Sequence, residues 1–248
     1  MSNCDVSNAE KTKIFLVFSS SDLGGAERSL TRLAAAESEQ LHWEVATISG
    51  EGPWSSWVRS LGMDPLIFGV NSSRSRRSDL LSIAKLIILL RAKRFDVVYL
   101  CGFRLAVIVR LLRFFFPRTK VVHAIRWDPQ SANLFDTLVR FTEKSLQRFT
   151  DGWITNSIIA KNTLTGECEL PDAKVFVAHN GLDSTWFGKP PEFNSKPAVI
   201  TVANLHSVKG HFDYLKHVVP KVIERVPEAK FLLLGRDDMS GEVQRLIC

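Results

Sequence analysis

The feature that most constrains this chain is a regular alternation of short apolar runs with helix-patterned stretches, sustained from residue 13 almost to the end. Residues 13–19, KIFLVFS, form a near-continuous hydrophobic segment. That is the pattern of a parallel strand buried on both faces, not the in-out alternation of a half-exposed one. After a turn at Asp22–Gly25, residues 26–38 read as a helix with Leu30, Leu33 and Ala34 on one face. Further strands are predicted at 43–49, 65–70, 96–101, 120–126, 152–156 and 174–179. Helices are predicted at 54–61, 104–115, 134–149 and 157–165, and from Asp79 as N-cap to Ala92 after a Ser/Arg-rich loop at 72–78. Such alternation predicts an α/β domain with a parallel sheet covered by helices on both faces.

Residues 189–197 are rich in proline and polar side chains, the composition of a linker. The pattern then restarts with strand 198–203, a loop to Gly210, helix 211–225, strand 230–234 and a helix beginning near Gly241. The expected organisation is a complete Rossmann-like domain over 1–190 and a second one begun over 191–248. A strand-helix-strand piece cannot cover its own sheet, so the second domain is read as incomplete; a whole one needs on the order of a hundred more residues.

Composition excludes several classes. With 45% hydrophobic and 23% charged residues the chain is neither disordered nor a fibrous repeat. No apolar run approaches the roughly 18 residues of a spanning helix. The apolar segment 14–18 behind the polar N-terminus is too short for a signal peptide. Cys4, Cys101, Cys168 and Cys248 are scattered, and no histidine pair has metal-site spacing. A cytoplasmic protein without a structural metal is expected. The formal charge of +6 favours anionic partners: phosphates, nucleic acid or a membrane face.

Three strand-to-helix loops carry chemistry. In 19–28, SSSDLGGAER, Gly24 and Gly25 permit close backbone approach and the following helix offers N–H groups to an anion, although a tight turn alone also requires glycine. His179-Asn-Gly-Leu-Asp183 puts a polar tip at a strand end, where open α/β sheets bind ligands; Asn-Gly is equally an ordinary turn. In 202–210, VANLHSVKG, Lys209 supplies charge and Gly210 opens a helix, a plausible phosphate site, with Gly235 and Arg236 on the neighbouring loop.

These elements occur in one order: GGAER with SLTRLA behind it, DVVYLCGF, VVHAIR, TNS, VFVAHNGLD, VANLHSVKGH and FLLLG. The set resembles the retaining glycosyltransferases of family 4, with the GT-B fold of two facing Rossmann-like domains, from about Ile14 to about Asp238. The resemblance implies that 1–190 binds the acceptor and 191–248 belongs to the domain holding a nucleotide-sugar donor. On it, Gly24 and Gly25 lie near the donor diphosphate. Lys209 neutralises the leaving group by electrostatic stabilisation, without a metal or other cofactor. Asn204, Gly210, Gly235 and Arg236 join the donor site, and Glu27, Arg28, Asn180 and Asp183 the acceptor site. The implied partners are a nucleotide sugar and a glycan or lipid-linked acceptor of cell-surface polysaccharide or lipopolysaccharide synthesis.

Departures from the family pattern matter too. Ala203-Asn204-Leu205 stands where Gly-Arg-Leu is common, so the diphosphate must lean on Lys209 or Arg236. Arg126 ends its strand where many members have histidine, giving it a catalytic or acceptor-site role or a purely structural one. The chain stops before the family's pair of glutamates eight positions apart, so an inactive fragment is expected. The alternative is a non-catalytic acceptor-binding subunit or pseudoenzyme. A dinucleotide-type epimerase or dehydrogenase is discounted, since G-x-G-x-x-G and Tyr-x-x-x-Lys are absent. Arginines and lysines at 74–77, 91–94, 104–113 and 118–120 surround Phe114–Phe116. They form either a solvated rim or a peripheral contact with an anionic membrane. Nucleic-acid binding is not expected, because no recognisable binding module is present.

Overall fold

The computed structural model describes residues 10–36, 38–69, 76–129, 133–181 and 197–247. The chain divides into two compact units, 1–182 and 183–248. The expected boundary at 190/191 falls within 182–196, outside the described residues.

Unit 1 is built on β1 (Thr12–Phe18), β2 (Leu41–Thr47), β3 (Leu66–Ile67), β4 (Val97–Cys101), β5 (Lys120–Ile125), β6 (Gly152–Thr155) and β7 (Val175–Val177). They form one sheet in the order β3-β2-β1-β4-β5-β6-β7, and every pairing is parallel. The connecting helices are α1 (Gly25–Ala35), α2 (Pro53–Ser60), α3 (Arg76–Ala92), α4 (Phe103–Leu111), α5 (Leu134–Leu146) and α6 (Ile158–Gly166). The β1 run is apolar throughout because both its faces are covered. Phe15 and Val17 pack with Leu86, Leu90, Leu105 and Val109 of α3 and α4. Leu16 and Phe18 pack with Leu30, Trp54 and Val58 of α1 and α2. Strand order reverses between β1 and β4, and such a switch point opens a crevice beyond the carboxyl ends of the strands.

Unit 2 contains a parallel pair, β8 (Ala198–Val202) and β9 (Lys230–Leu234), in register from Ala198 opposite Lys230 to Val202 opposite Leu234. Between them run α7 (His211–Asp213), a π-helical stretch Tyr214–Val218 and α8 (Val219–Arg225). Pro220 explains the interruption: it cannot donate back to the preceding turn, so the helix widens ahead of it and restarts with proline in its first turn.

Three expectations are corrected. Helix α3 begins at Arg76, three residues before Asp79, because serine and arginine do not break a helix, so Asp79 is no cap. The predicted helix at 104–115 stops at Leu111, and Arg113–Phe115 continue as a 3₁₀ turn before Pro117. No α-helix starts at Gly241: Ser240 and Gly241 are left-handed, and Asp237 accepts from the backbone N–H groups of Met239 and Gly241. Among the described residues a 3₁₀ turn, Gln244–Leu246, follows.

Candidate functional site

In unit 1 the sequence candidates gather where the switch point predicts. The β1–α1 loop leaves Phe18 and enters α1 at Gly24, whose amino terminus has no side-chain cap. An added Cβ on Gly24 would stand 2.6 Å from Glu27 Oε2, so the glycine makes room for the Glu27 carboxylate, which folds back over the helix start. That position suits a negative charge at a helix amino terminus. Gly25 differs: nothing lies within 4 Å of a Cβ placed there, so no protein contact requires glycine.

At the carboxyl end of β5, Arg126 Nη2 donates to Ser29 Oγ at 2.9 Å and also to Asn180 Oδ1, while Ser29 Oγ donates to Asn180 at 2.8 Å. Three strand-end regions are joined in this way: α1 behind β1, the end of β5, and the loop after β7. Among the described residues the buried Arg126 Nε, Trp127 Nε1 beside it and the Ser21 hydroxyl find no hydrogen-bond partner. Arg28 is exposed and stands outside this network, and Asp183 lies outside the described residues. Below the network, burial first, with Glu27 adding and Arg126 opposing, pushes the Cys101 thiol up to about 12. Cys101 is therefore a protonated, unreactive floor.

Two residues of this site escape sequence reasoning. Ser29 reads as an ordinary helix-surface serine. Gly102 follows β4 with φ +126°, and a Cβ there would stand 2.1 Å from Ser19 Oγ. A glycine directly after a strand, next to the first loop, was the available signal.

In unit 2 the donor candidates occupy adjacent loops at the carboxyl ends of β8 and β9. The loops are stitched together by backbone: Leu205 N–H donates to Arg236 O at 2.8 Å, and Asp238 N–H to Leu205 O at 3.1 Å. Gly235 is forced by this closeness, since a Cβ there would lie 2.0 Å from the Ala203 carbonyl oxygen. The Asn204 side chain accepts from Arg236 N–H at 3.3 Å and donates to Asp238 at 3.3 Å. Arg236 Nε donates to Asp238 Oδ1 at 2.6 Å, and the guanidinium holds the Asp238 carboxyl below its ordinary value. Lys209 ends a 3₁₀ turn, Ser207–Lys209, with its side chain exposed. Gly210 takes the left-handed conformation, φ +71°, that carries this turn into α7. Buried His211 braces the loop through Nε2, 3.0 Å from Asn204 O.

The basic rim is corrected in part. Arg110 is no surface residue: its side chain is fully buried, with Nη1 and Nη2 donating to both oxygens of Glu143 at 2.7 and 2.8 Å. Trp153 Nε1 also donates to Glu143, at 2.7 Å, and His123 Nδ1 lies 3.2 Å from it. Burial alone would push the Glu143 carboxyl up, but His123 and Arg110 outweigh it and hold it well below its ordinary range. An arginine on an apolar helix needs such a partner to be buried at all. Arg113 pairs with Asp151, Lys93 with Glu44, and Phe116 is buried. Arg74 lies outside the described residues. Among the described residues no helix is long and apolar enough to cross a membrane.

With this geometry in place, comparison with known proteins becomes informative. The family profile described as Glycosyltransferase Family 4 matches residues 23–186, well over half of the chain. The chain belongs to glycosyltransferase family 4. No curated protein is matched. Solved structures share the GT-B fold at low identity. Anabaena HepE (Alr3699), crystallised with UDP and glucose, superposes with a TM-score of 0.75 at 17% identity, over 95% of this chain and 66% of its own. The lipopolysaccharide outer core galactosyltransferase WaaB, in its apo form, gives 0.61 at 13% identity over 94% and 64%. UDP-GlcNAc 2-epimerase from Neisseria meningitidis, bound to UDP-GlcNAc, gives 0.60 at 15% over 95% and 68%. This family 4 chain thus spans about two thirds of the length of these structures. The fold is shared with an epimerase and does not choose the chemistry.

Proposed function

We propose that this protein acts in transfer of a sugar, with retention of configuration, from a nucleotide-sugar donor to a glycan or lipid-linked acceptor. The observation that carries the reading is the family match over residues 23–186. Support comes from HepE, whose crystals hold UDP and glucose. The donor diphosphate lies on the stitched loops of unit 2, where Lys209 offers an exposed ammonium and Asn204 a neutral amide. Negative charge that builds on the leaving diphosphate is stabilised by Lys209 in place, with no proton transfer required. Arg236 is already engaged by Asp238, so Lys209 is the principal cation of the site. Arg126, Glu27 and Asn180 face the acceptor from unit 1.

Calorimetric titration of the full chain with UDP and UDP-glucose tests the reading. Binding is expected, and Lys209→Ala should weaken it at least tenfold while the thermal transition is unchanged. Equal affinity in the variant removes Lys209 from the site, and a wild-type chain that binds neither ligand overturns the donor assignment.

A lipid-linked acceptor is supported by the surface of α4 and α5. Leu134, Leu138 and Phe141 stand exposed at one-turn spacings on α5, alongside exposed Ile108 and Leu111 of α4 and Phe114 and Phe115 beyond it. Arg104, Arg118 and Arg148 are exposed and form no ion pair among the described residues. Apolar side chains with unpaired cations fit an anionic bilayer. Cosedimentation with anionic vesicles at low salt is expected, lost with neutral vesicles and in Phe141→Asp; no binding at low salt ends the idea.

A further inference from the structure

We infer that the acceptor carries an anionic group, a phosphate monoester or a carboxylate, and that Arg126 is its ligand. The inference rests on the glycosyltransferase reading and names the substrate class of its acceptor site.

The starting observation is a contrast among arginines of unit 1. Arg59 pairs with Glu51, Arg113 with Asp151 and buried Arg110 with Glu143, so each guanidinium that is fixed in place is also neutralised. Arg126 is fixed without being neutralised. Its Nη2 donates to two neutral oxygens, Ser29 Oγ and Asn180 Oδ1, and among the described residues no carboxylate lies within ion-pair distance of it. Its Nε is buried and has no acceptor among the described residues. A part-buried guanidinium left in this state costs desolvation without return, unless an oxyanion completes it.

The surroundings fit that occupant. Arg126 stands at the carboxyl end of β5, on the ligand-binding side of the sheet. The Ser29 and Asn180 bonds hold Nη2 and so fix the planar fork before any ligand arrives, with neutral oxygens as its partners among the described residues. Glu27, whose carboxylate folds back over the start of α1, forms no ion pair with Arg126 among the described residues and is left to accept a hydroxyl. Such a pair reads a sugar that offers hydroxyls on one side and an anion on the other. Lysine would supply charge without a planar fork fixed by Ser29 and Asn180.

The test follows the Arg126 Nε–Hε signal by NMR in the arginine-labelled full chain, identified by its loss in Arg126→Lys. Three probes are titrated: inorganic phosphate, glucuronate and glucose. Saturable shifts with phosphate or glucuronate and none with glucose are expected, the stronger of the two naming the anion. Arg126→Lys and Arg126→Gln should weaken that anion at least tenfold while UDP affinity stays at the wild-type value. Absence of any shift overturns the proposal, and so does an equal loss of UDP affinity, which would put the guanidinium on the donor. The same signal must also be missing from Arg126→Gln, so its assignment does not rest on one variant folding. Failure of UDP to bind at all would instead strike the donor assignment, leaving the Arg126 readout intact.

Discussion

Replacing Arg110 by methionine should be among the most damaging single changes in unit 1. The apolar stem is kept, but Glu143 loses both guanidinium contacts, at 2.7 and 2.8 Å, in a place where neither side chain meets solvent. Removing one partner of a buried pair costs about 3–5 kcal/mol, because the remaining charge is stranded. With a urea slope of about 2 kcal/mol per molar, the midpoint should fall by about 2 M. The pH dependence checks the cause. Glu143 has a folded-state pKa below its unfolded value, so its stabilisation is fully present above the unfolded value and lost as pH falls through the folded one. The gap between wild type and Arg110→Met should therefore be widest near neutrality and narrow below about pH 4, the ordinary carboxylate range. Pairing the change with Glu143→Leu should recover most of the loss. A single variant within 0.5 kcal/mol of wild type by urea unfolding, or a gap that does not change with pH, would refute the reasoning.

Three further outcomes follow from single residues. Gly102→Ala must take φ +126° and overlap Ser19 Oγ, and should lose about 3 kcal/mol in thermal unfolding, whereas Gly25→Ala, with open space, should hold or gain up to about 1 kcal/mol. Gly235→Ala places a Cβ 2.0 Å from a backbone oxygen that cannot yield. Hydrogen exchange of the β8 and β9 amides should accelerate and UDP binding disappear. Asp238→Asn releases Arg236 from a charged partner and should tighten UDP binding about twofold to fivefold by calorimetry, as an exposed pair is worth at most about 1 kcal/mol.

The parallel sheet was legible because burial on both faces leaves its mark in every residue of β1, from Phe15 to Phe18. The close backbone approaches at Gly24 and Gly235 were legible as glycines at strand ends, where an added Cβ would meet Glu27 and the Ala203 carbonyl. Arg110 was misread as surface because its partner, Glu143, lies 33 residues away on another helix, and only packing brings them together. Ser29 was missed on the same ground, its partners being 97 and 151 residues distant. Whether Arg236 is a free cation depends on Asp238 two residues on, a pairing that spacing allows but does not dictate.

The two sheets also differ in how they end. Unit 1 tapers: β1 has seven residues, but its outermost strands are β3, with two, and β7, with three. So little exposed backbone gives a stray chain almost nothing to pair with. Unit 2 has no taper. Among its described residues β8 and β9 are five residues each, and Ile200, Val202, Leu232 and Leu234 stand exposed along them, a face that asks for further packing partners.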